Sequence, residues 1–308
     1  MAVPTLDASS VIEPIRQLAA SDQPGVLAII TNIEGPSYRP LGAMMAVFGD
    51  KTRVGTLSSG CVEEDIALHA MDALTTGQQR TVLYGLGSPY KDIQLPCGGG
   101  LEITLIPRPD KAVLDTICDR HSNRQTTTLS VDLGTGAILI TEGVATGRDA
   151  DRFNICIEPE LFFYVFGKGP EATTFAGLVQ SAGYPNLLLS PDAETLTIAT
   201  QAGCETRHLI SAHFPDDLHP DAHSAILLFF HDHEWEPPIL RQSIQSEAFF
   251  IGAQGSKRAA EMRKLELEAL GVSQADLEQI KGPIGLIPSV RDARRLAVSV
   301  LADVLNER

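Results

Sequence analysis

Basic residues are scarce in this 308-residue sequence: 24 Lys and Arg stand against 39 Asp and Glu, a net charge of −15. So negative a balance opposes non-specific contact with nucleic-acid phosphates or anionic lipid surfaces. It still allows a small anion held locally by backbone N–H groups. Long apolar runs are missing too, and those present, such as 225–230 (AILLFF), are far too short to cross a bilayer. Residues 1–18 carry no basic segment followed by an apolar stretch. Val11, Ile15 and Leu18 fall on one helical face, so the start predicts an amphipathic helix and a cytoplasmic protein. The five cysteines (Cys61, Cys97, Cys118, Cys156 and Cys204) are odd in number and far apart. That predicts reduced thiols and excludes the close pairing of a zinc knuckle or a thioredoxin-type motif. Internal repeats and low-complexity segments are lacking as well.

What is present is an ordinary globular composition, 44% apolar and 20% charged. At this length two domains are expected, residues 1–157 and 158–308, meeting near Glu158-Pro159. In the first, residues 25–30 (GVLAII) and 43–48 (AMMAVF) read as buried strands. Gly49-Asp50 then turns the chain into a hairpin with 53–57. A helix is expected over 62–74, with Gly77 past its end, and strands over 81–84 and 101–106. Residues 126–133 and 137–142 read as two strands about Gly134-Thr135-Gly136.

The second half alternates strand, glycine loop and helix, the pattern of a Rossmann-like, doubly wound parallel sheet; the whole is therefore read as α/β, with a mixed α/β amino-terminal domain. Residues 161–166 (LFFYVF) run straight into Gly167-Lys168-Gly169-Pro170-Glu171-Ala172, a G-x-G-x-x-A loop opening a helix, where Gly167, Gly169 and Ala172 would let a pyrophosphate approach. Ser190 stands where a ribose-binding acid would end the second strand, and Asp192 follows two residues later. The strand at 225–230 ends in His231-Asp232-His233-Glu234, a ligand-crevice position at which His231 and His233 could hold a metal. A second glycine loop, Gly252 to Gly255 followed by Ser256, Lys257 and Arg258, offers an anion site at a helix start.

Two loops of the first half carry cysteine. Cys61, in Ser58-Ser59-Gly60-Cys61-Val62-Glu63, falls in a first helical turn, whose dipole favours a thiolate that Glu63, Glu64 and Asp65 oppose. Cys97 precedes Gly98-Gly99-Gly100, whose unshielded N–H groups suit an anion nest.

Taken together, these segments resemble the XdhC/CoxI family of xanthine dehydrogenase accessory proteins. Gly35 to Met45, with Arg39, is similar to that family's G-S-x-x-R-x-x-G-A-x-M entry, Ser58 to Glu63 to its S-G-G-C-V-E, and Pro96 to Gly99 to its P-C-G-G. The G-x-G loop, His231-Asp232, Ile251 through Arg258, Gly282 to Leu286 and a final helix over 291–305 follow in family order. Three departures stand out: Ser59 for a glycine, Lys168-Gly169-Pro170 in the first loop, and Ser190 for an acid.

The resemblance implies a chaperone, not an enzyme with turnover, that binds molybdenum cofactor. The cofactor's terminal sulfido ligand is then installed by a cysteine desulfurase, and the cofactor is inserted into a molybdenum hydroxylase of the xanthine dehydrogenase type. It makes cofactor-binding candidates of Arg39, Ser59, Gly60, Cys61, Glu63, Cys97, Gly98, Gly99, Gly167, Gly169, Ala172, Asp192, His231, Asp232, Gly252, Gly255, Ser256, Lys257 and Arg258, with Cys61 and Cys97 as possible sulfur ligands of the metal. No catalytic residue is assigned. A homodimer is expected by family analogy, through an edge of the 42–48 strand. The alternatives are an oxidoreductase with NAD(P) or another nucleotide in the Rossmann half, and a thiol enzyme using Cys61 or Cys97.

Overall fold

Strands that are apolar at every position must be covered on both faces, and residues 25–30 and 44–48 are buried throughout. The computed structural model describes residues 11–60, 62–86, 88, 95, 98–231 and 234–308. It divides into two compact units, Met1–Pro159 and Glu160–Arg308. The first unit opens with α1 (Ile12–Ala20), β1 (Gly25–Glu34), β2 (Met44–Phe48), β3 (Arg53–Gly55), α2 (Glu63–Thr76), β4 (Arg80–Gly85) and β5 (Gly100–Pro107). The five strands form one antiparallel sheet in the order β3-β2-β1-β5-β4.

Period-two alternation splits the apolar side chains between two cores. Val26, Ala28, Ile30, Met45, Val47, Ile103 and Leu105 pack with Ile66, Ala67 and Ala70 of α2. Leu27, Ile29, Met44, Ala46, Phe48 and Ile106 face the other way. They meet α1, α3 (Lys111–Ser122) and a second sheet of β6 (Thr127–Asp132), β7 (Ile138–Thr141), β8 (Gly147–Asp149) and β9 (Arg152–Ile157), ordered β7-β6-β9-β8. One expectation fails here. β2 is not an edge strand, because β1 and β3 pair with it on either side. A two-fold contact through residues 42–48 therefore has no free edge to use.

The second unit runs β10 (Phe162–Gly167), α4 (Pro170–Ser181), β11 (Asn186–Ser190), α5 (Ala193–Gln201), β12 (Glu205–His208), β13 (Ser224–Phe229), α6 (Glu236–Ser243), β14 (Phe250–Ala253), α7 (Lys257–Ala269), α8 (Gln274–Leu277), β15 (Ile280–Lys281) and α9 (Ala293–Asn306). All its strand pairs are parallel, in the order β12-β11-β10-β13-β14-β15. Numbered within the unit, that is 3-2-1-4-5-6, the Rossmann order, with the switch point between β10 and β13. Helices cover both faces. Phe163, Phe175 and Phe229 are fully buried on the α4–α9 side, and Phe166 with Ile239 and Leu267 on the α6–α7 side. Each such ring withdrawn from water contributes roughly 2–3 kcal/mol.

Candidate functional site

Antiparallel register brings three of the sequence motifs to one end of the first sheet. β1 ends with Glu34 opposite Gly100, the first residue of β5, and β4 ends with Gly85 opposite the same Gly100. β3 ends with Gly55 opposite Met45, near the start of β2. The connections 35–43, 56–62 and 86–99 therefore all leave the sheet at that end. Backbone packs directly on backbone there. A Cβ on Gly99 would stand 2.0 Å from the Pro36 carbonyl oxygen and 2.9 Å from that of Glu34, and one on Gly85 would stand 2.1 Å from the Gly99 oxygen. Only glycine permits this approach. The Tyr84 hydroxyl donates to Asp65 at 2.6 Å, which ties the first turns of α2 to the same end.

Glu63 organises the loop before α2. Its carboxylate accepts from the Thr56 and Ser58 hydroxyls and from the N–H groups of Leu57, Ser58, Gly60 and Val62. Burial alone pushes the carboxyl up, but hydrogen bonds from the Ser58 and Thr56 hydroxyls and from the Ser58 and Gly60 N–H groups outweigh it and hold the pKa at about 2. The sequence places Glu63 among cofactor ligands; in the structure it fills the loop's own anion nest, so the Gly60 N–H is committed to it. Ser59 donates its N–H to Thr56 Oγ1 and sits at φ +62°, left-handed backbone that a glycine adopts at no cost. This accounts for a glycine in the resembling motif.

Arg39 is the opposite case. Its backbone N–H and carbonyl close a turn onto Ser37 Oγ. Its guanidinium has no hydrogen-bond or carboxylate partner among the described residues, and the Nε is buried without one. A buried guanidinium donor left unmatched is costly unless something supplies an acceptor. At the same end of the sheet the backbone is open: a Cβ on Gly60 or Gly98 would meet nothing within 4 Å among the described residues. Cys61 and Cys97 lie outside the described residues. The other three thiols are held protonated by their surroundings, since burial pushes Cys118, Cys156 and Cys204 all upward.

In the second unit the first glycine loop is tied to α5. The Gly169 N–H, a donor a pyrophosphate would seek, goes to Thr195 Oγ1 at 2.9 Å. Gly167 is required by proximity, a Cβ there lying 2.6 Å from the Phe229 carbonyl oxygen. Ala172 is wholly buried in the core, and Gly252 packs under Ile284. Ser190 ends β11, buried, accepting the Asp192 N–H. Asp192 caps α5, its carboxylate taking the Thr195 hydroxyl and N–H, which hold it below the usual range. Neither residue is arranged around a ribose.

A cleft of about 770 Å³ opens instead at the carboxyl ends of β13 and β14, bordered by Phe230, Gln254, Ser256, Lys257, Ile284 and Arg291. His231 and Gly255 also line it, and Glu171 closes one side, 3.2 Å from His231 Nε2. Ser256 caps α7 through Ala259 N–H. Of the second glycine loop, Gly255, Ser256 and Lys257 thus reach the cleft, whereas Arg258 does not border it. Asp232 and His233 lie outside the described residues, and among those described no group of three or more His, Cys, Asp or Glu is placed to hold a metal.

Sequence reasoning missed Gln254, Arg291 and the inward turn of Glu63. For Glu63 a signal existed: an acid three residues after Gly60, the spacing at which a helix-start carboxylate reaches back to backbone N–H groups. Gln254 and Arg291 meet only through tertiary folding.

Two family models match the chain, that of the XdhC and CoxI family over residues 18–85 and that of the XdhC Rossmann domain over residues 163–304. The chain is 32% identical to the molybdenum cofactor insertion chaperone PaoD of Escherichia coli (strain K12) over 291 residues, covering 94% of this chain and 85% of PaoD. It is 23% identical to a Bacillus subtilis (strain 168) protein described as a probable xanthine dehydrogenase subunit, covering 94% of this chain and 95% of that protein. A crystal structure described as a xanthine dehydrogenase from Bacillus halodurans shares the fold, with a TM-score of 0.78 at 23% identity, covering 97% of this chain and 95% of that one.

Proposed function

The chain belongs to the XdhC and CoxI family, and from that premise we propose that it is a cytoplasmic molybdenum-cofactor chaperone, holding the cofactor as cargo at the glycine end of its first unit. One observation carries the reading: the Arg39 guanidinium, without a partner among the described residues, stands on a loop that leaves the sheet at the same end as the loops of Gly60 and Gly98, whose backbone is open. The cargo bears a phosphate and a dithiolene, both electron-rich, and needs a forked cationic donor and close backbone approach. Arg39 supplies the first, and Gly98 with Gly60 the second. Cys61 and Cys97 are the candidate soft ligands for the metal. Glu63 holds the loop in shape and stays off the cargo. The insertion activity in the name of PaoD supports delivery to a partner. We assign that partner as a molybdenum hydroxylase of the xanthine dehydrogenase type, with sulfuration by a cysteine desulfurase while the cofactor is held, and the working form as a homodimer. An NAD(P) oxidoreductase has the Rossmann sheet in its favour, but the Gly169 donor is committed to Thr195 and Glu171 places negative charge at the α4 start, so the accessory role is the stronger reading.

Cys97 is expected to matter more for retention than Cys118, Cys156 or Cys204. Cys97→Ser preserves size and removes the soft sulfur, and should weaken cofactor retention about tenfold, an amount set by one metal–thiolate contact. Serine at the other three positions should leave retention unchanged. Assaying each variant by activation of cofactor-free hydroxylase tests this, and full activation by Cys97→Ser refutes a ligand role for the thiol.

A further inference from the structure

The second unit carries a cleft that the cofactor cargo of the first does not require. Three features of it point the same way. Gln254 is 6% exposed; its Nε2 donates to the Phe230 carbonyl, and its Oε1 has no partner among the described residues at the border of the cleft. The backbone of the same residue is held from behind, its carbonyl accepting from Arg263, itself locked in a buried ion pair with Glu236 at 2.9 Å. Lys257 and Arg291 border the same space with no carboxylate partner among the described residues, in a chain of net charge −15. Lys257 is the first residue of α7, and the N–H groups of Lys257 and Arg258 are unclaimed among the described residues; Arg291 precedes Asp292, whose carboxylate caps α9. Phe230, Ile284 and Leu296 supply apolar walls.

A fixed buried acceptor at one point, cations and helix-start N–H groups at another, and apolar walls together describe a phosphorylated ring with an N–H edge. We propose that this cleft binds a phosphomonoester of a nitrogen heterocycle, the phosphate between Lys257 and Arg291 and a ring N–H on Gln254 Oε1. The position is displaced from the first glycine loop, the usual Rossmann phosphate site, by two strands of the sheet. There the Gly169 N–H is occupied and Glu171 carries negative charge, so the anion is excluded from that end and drawn to the other. Binding here does not depend on which cargo the first unit carries.

We take the ring to be a nucleotide base or a pterin, and calorimetric titration separates the two. Full-length protein is titrated with GMP, neopterin monophosphate and inorganic phosphate. The wild type is compared with Lys257→Ala/Arg291→Ala, Gln254→Leu and Lys264→Ala, the last an exposed cation on α7 away from the cleft. The expectation is that GMP or neopterin monophosphate binds at least about tenfold more tightly than phosphate. The double variant should lose about tenfold or more of that affinity and Gln254→Leu about fivefold, with Lys264→Ala unchanged. Response to GMP identifies a nucleotide, and response to neopterin monophosphate a pterin. Absence of binding by both at millimolar concentration overturns the proposal. So does phosphate binding as tightly as either ligand, or affinity unaffected by the double variant, whose exposed positions leave the fold intact.

Discussion

Glu63→Ala is expected to destabilise the first unit by about 3–5 kcal/mol, read as a fall in Tm of about 10 °C or more. The carboxylate is the shared acceptor for two hydroxyls and four backbone N–H groups, and alanine would take that acceptor from all six, the N–H groups of Leu57 and Ser58 being buried. The effect carries a pH signature. In the folded chain the carboxyl titrates at about 2, against 4.5 when unperturbed. A folded-state pKa below the unfolded one means stability that is complete above about pH 5 and is lost as pH falls through the window toward 2, amounting to about 3 kcal/mol. Urea unfolding of wild type and Glu63→Ala at a series of pH values from 7 to 3 should show a gap that is constant down to about pH 5 and narrows below it. A gap constant across that range would mean the carboxylate's hydrogen bonds do not hold the loop. Glu63→Gln keeps one acceptor oxygen but presents an NH2 group to the remaining donors, and should fall between the two.

Arg39→Ala is expected to weaken molybdenum-cofactor binding about a hundredfold while leaving Tm within a degree or two of wild type. Both halves of that expectation come from one observation. Because the guanidinium makes no hydrogen bond or ion pair among the described residues, its removal breaks no polar contact of the fold among them. A bidentate, charge-assisted pair with an anionic cargo is worth about 3 kcal/mol, and all of that is lost from binding. Arg39→Lys keeps the charge without the fork and should recover only part of the affinity. Competition binding of the cofactor alongside thermal melts reads both quantities on the same samples. A variant that loses stability and binding together would show that Arg39 is a structural residue. One that loses neither would remove it from the site.

The parts of this fold legible in the sequence are those where local pattern and tertiary role coincide. The strands at 162–167 and 224–229 are buried on both faces and so are apolar without interruption, and the glycine loop after β10 marks the first turn into a helix. β8 and β12, spelled Gly-Arg-Asp and Glu-Thr-Arg-His, are short sheet edges with one side to solvent, and polarity hides them. The interior place of β2 is hidden for a different reason. Its hairpin with β3 is local, but the pairing with β1 on its other side is not implied by the turn between them.

The candidate site divides along the same line. Arg39, Gly60, Gly98 and Gly99 are visible as motif residues, each on a loop whose glycines announce a close approach. That their three loops leave one end of a sheet follows only from strand order. The direction of the Glu63 carboxylate is a choice between solvent, a neighbouring thiol and its own loop, and spacing alone does not make it. Gln254 and Arg291 are 37 residues apart in the sequence and meet at one cleft, a juxtaposition no local pattern encodes.

That the first unit carries molybdenum cofactor is tested most directly by gel filtration of wild-type protein mixed with freshly released cofactor. Molybdenum and pterin fluorescence are measured across the protein peak. Both are expected to elute with the protein, at about one cofactor per chain, and the same fractions should activate a cofactor-free molybdenum hydroxylase. Cofactor recovered wholly in the small-molecule volume, from protein that is folded by its melting curve, would contradict a carrier role.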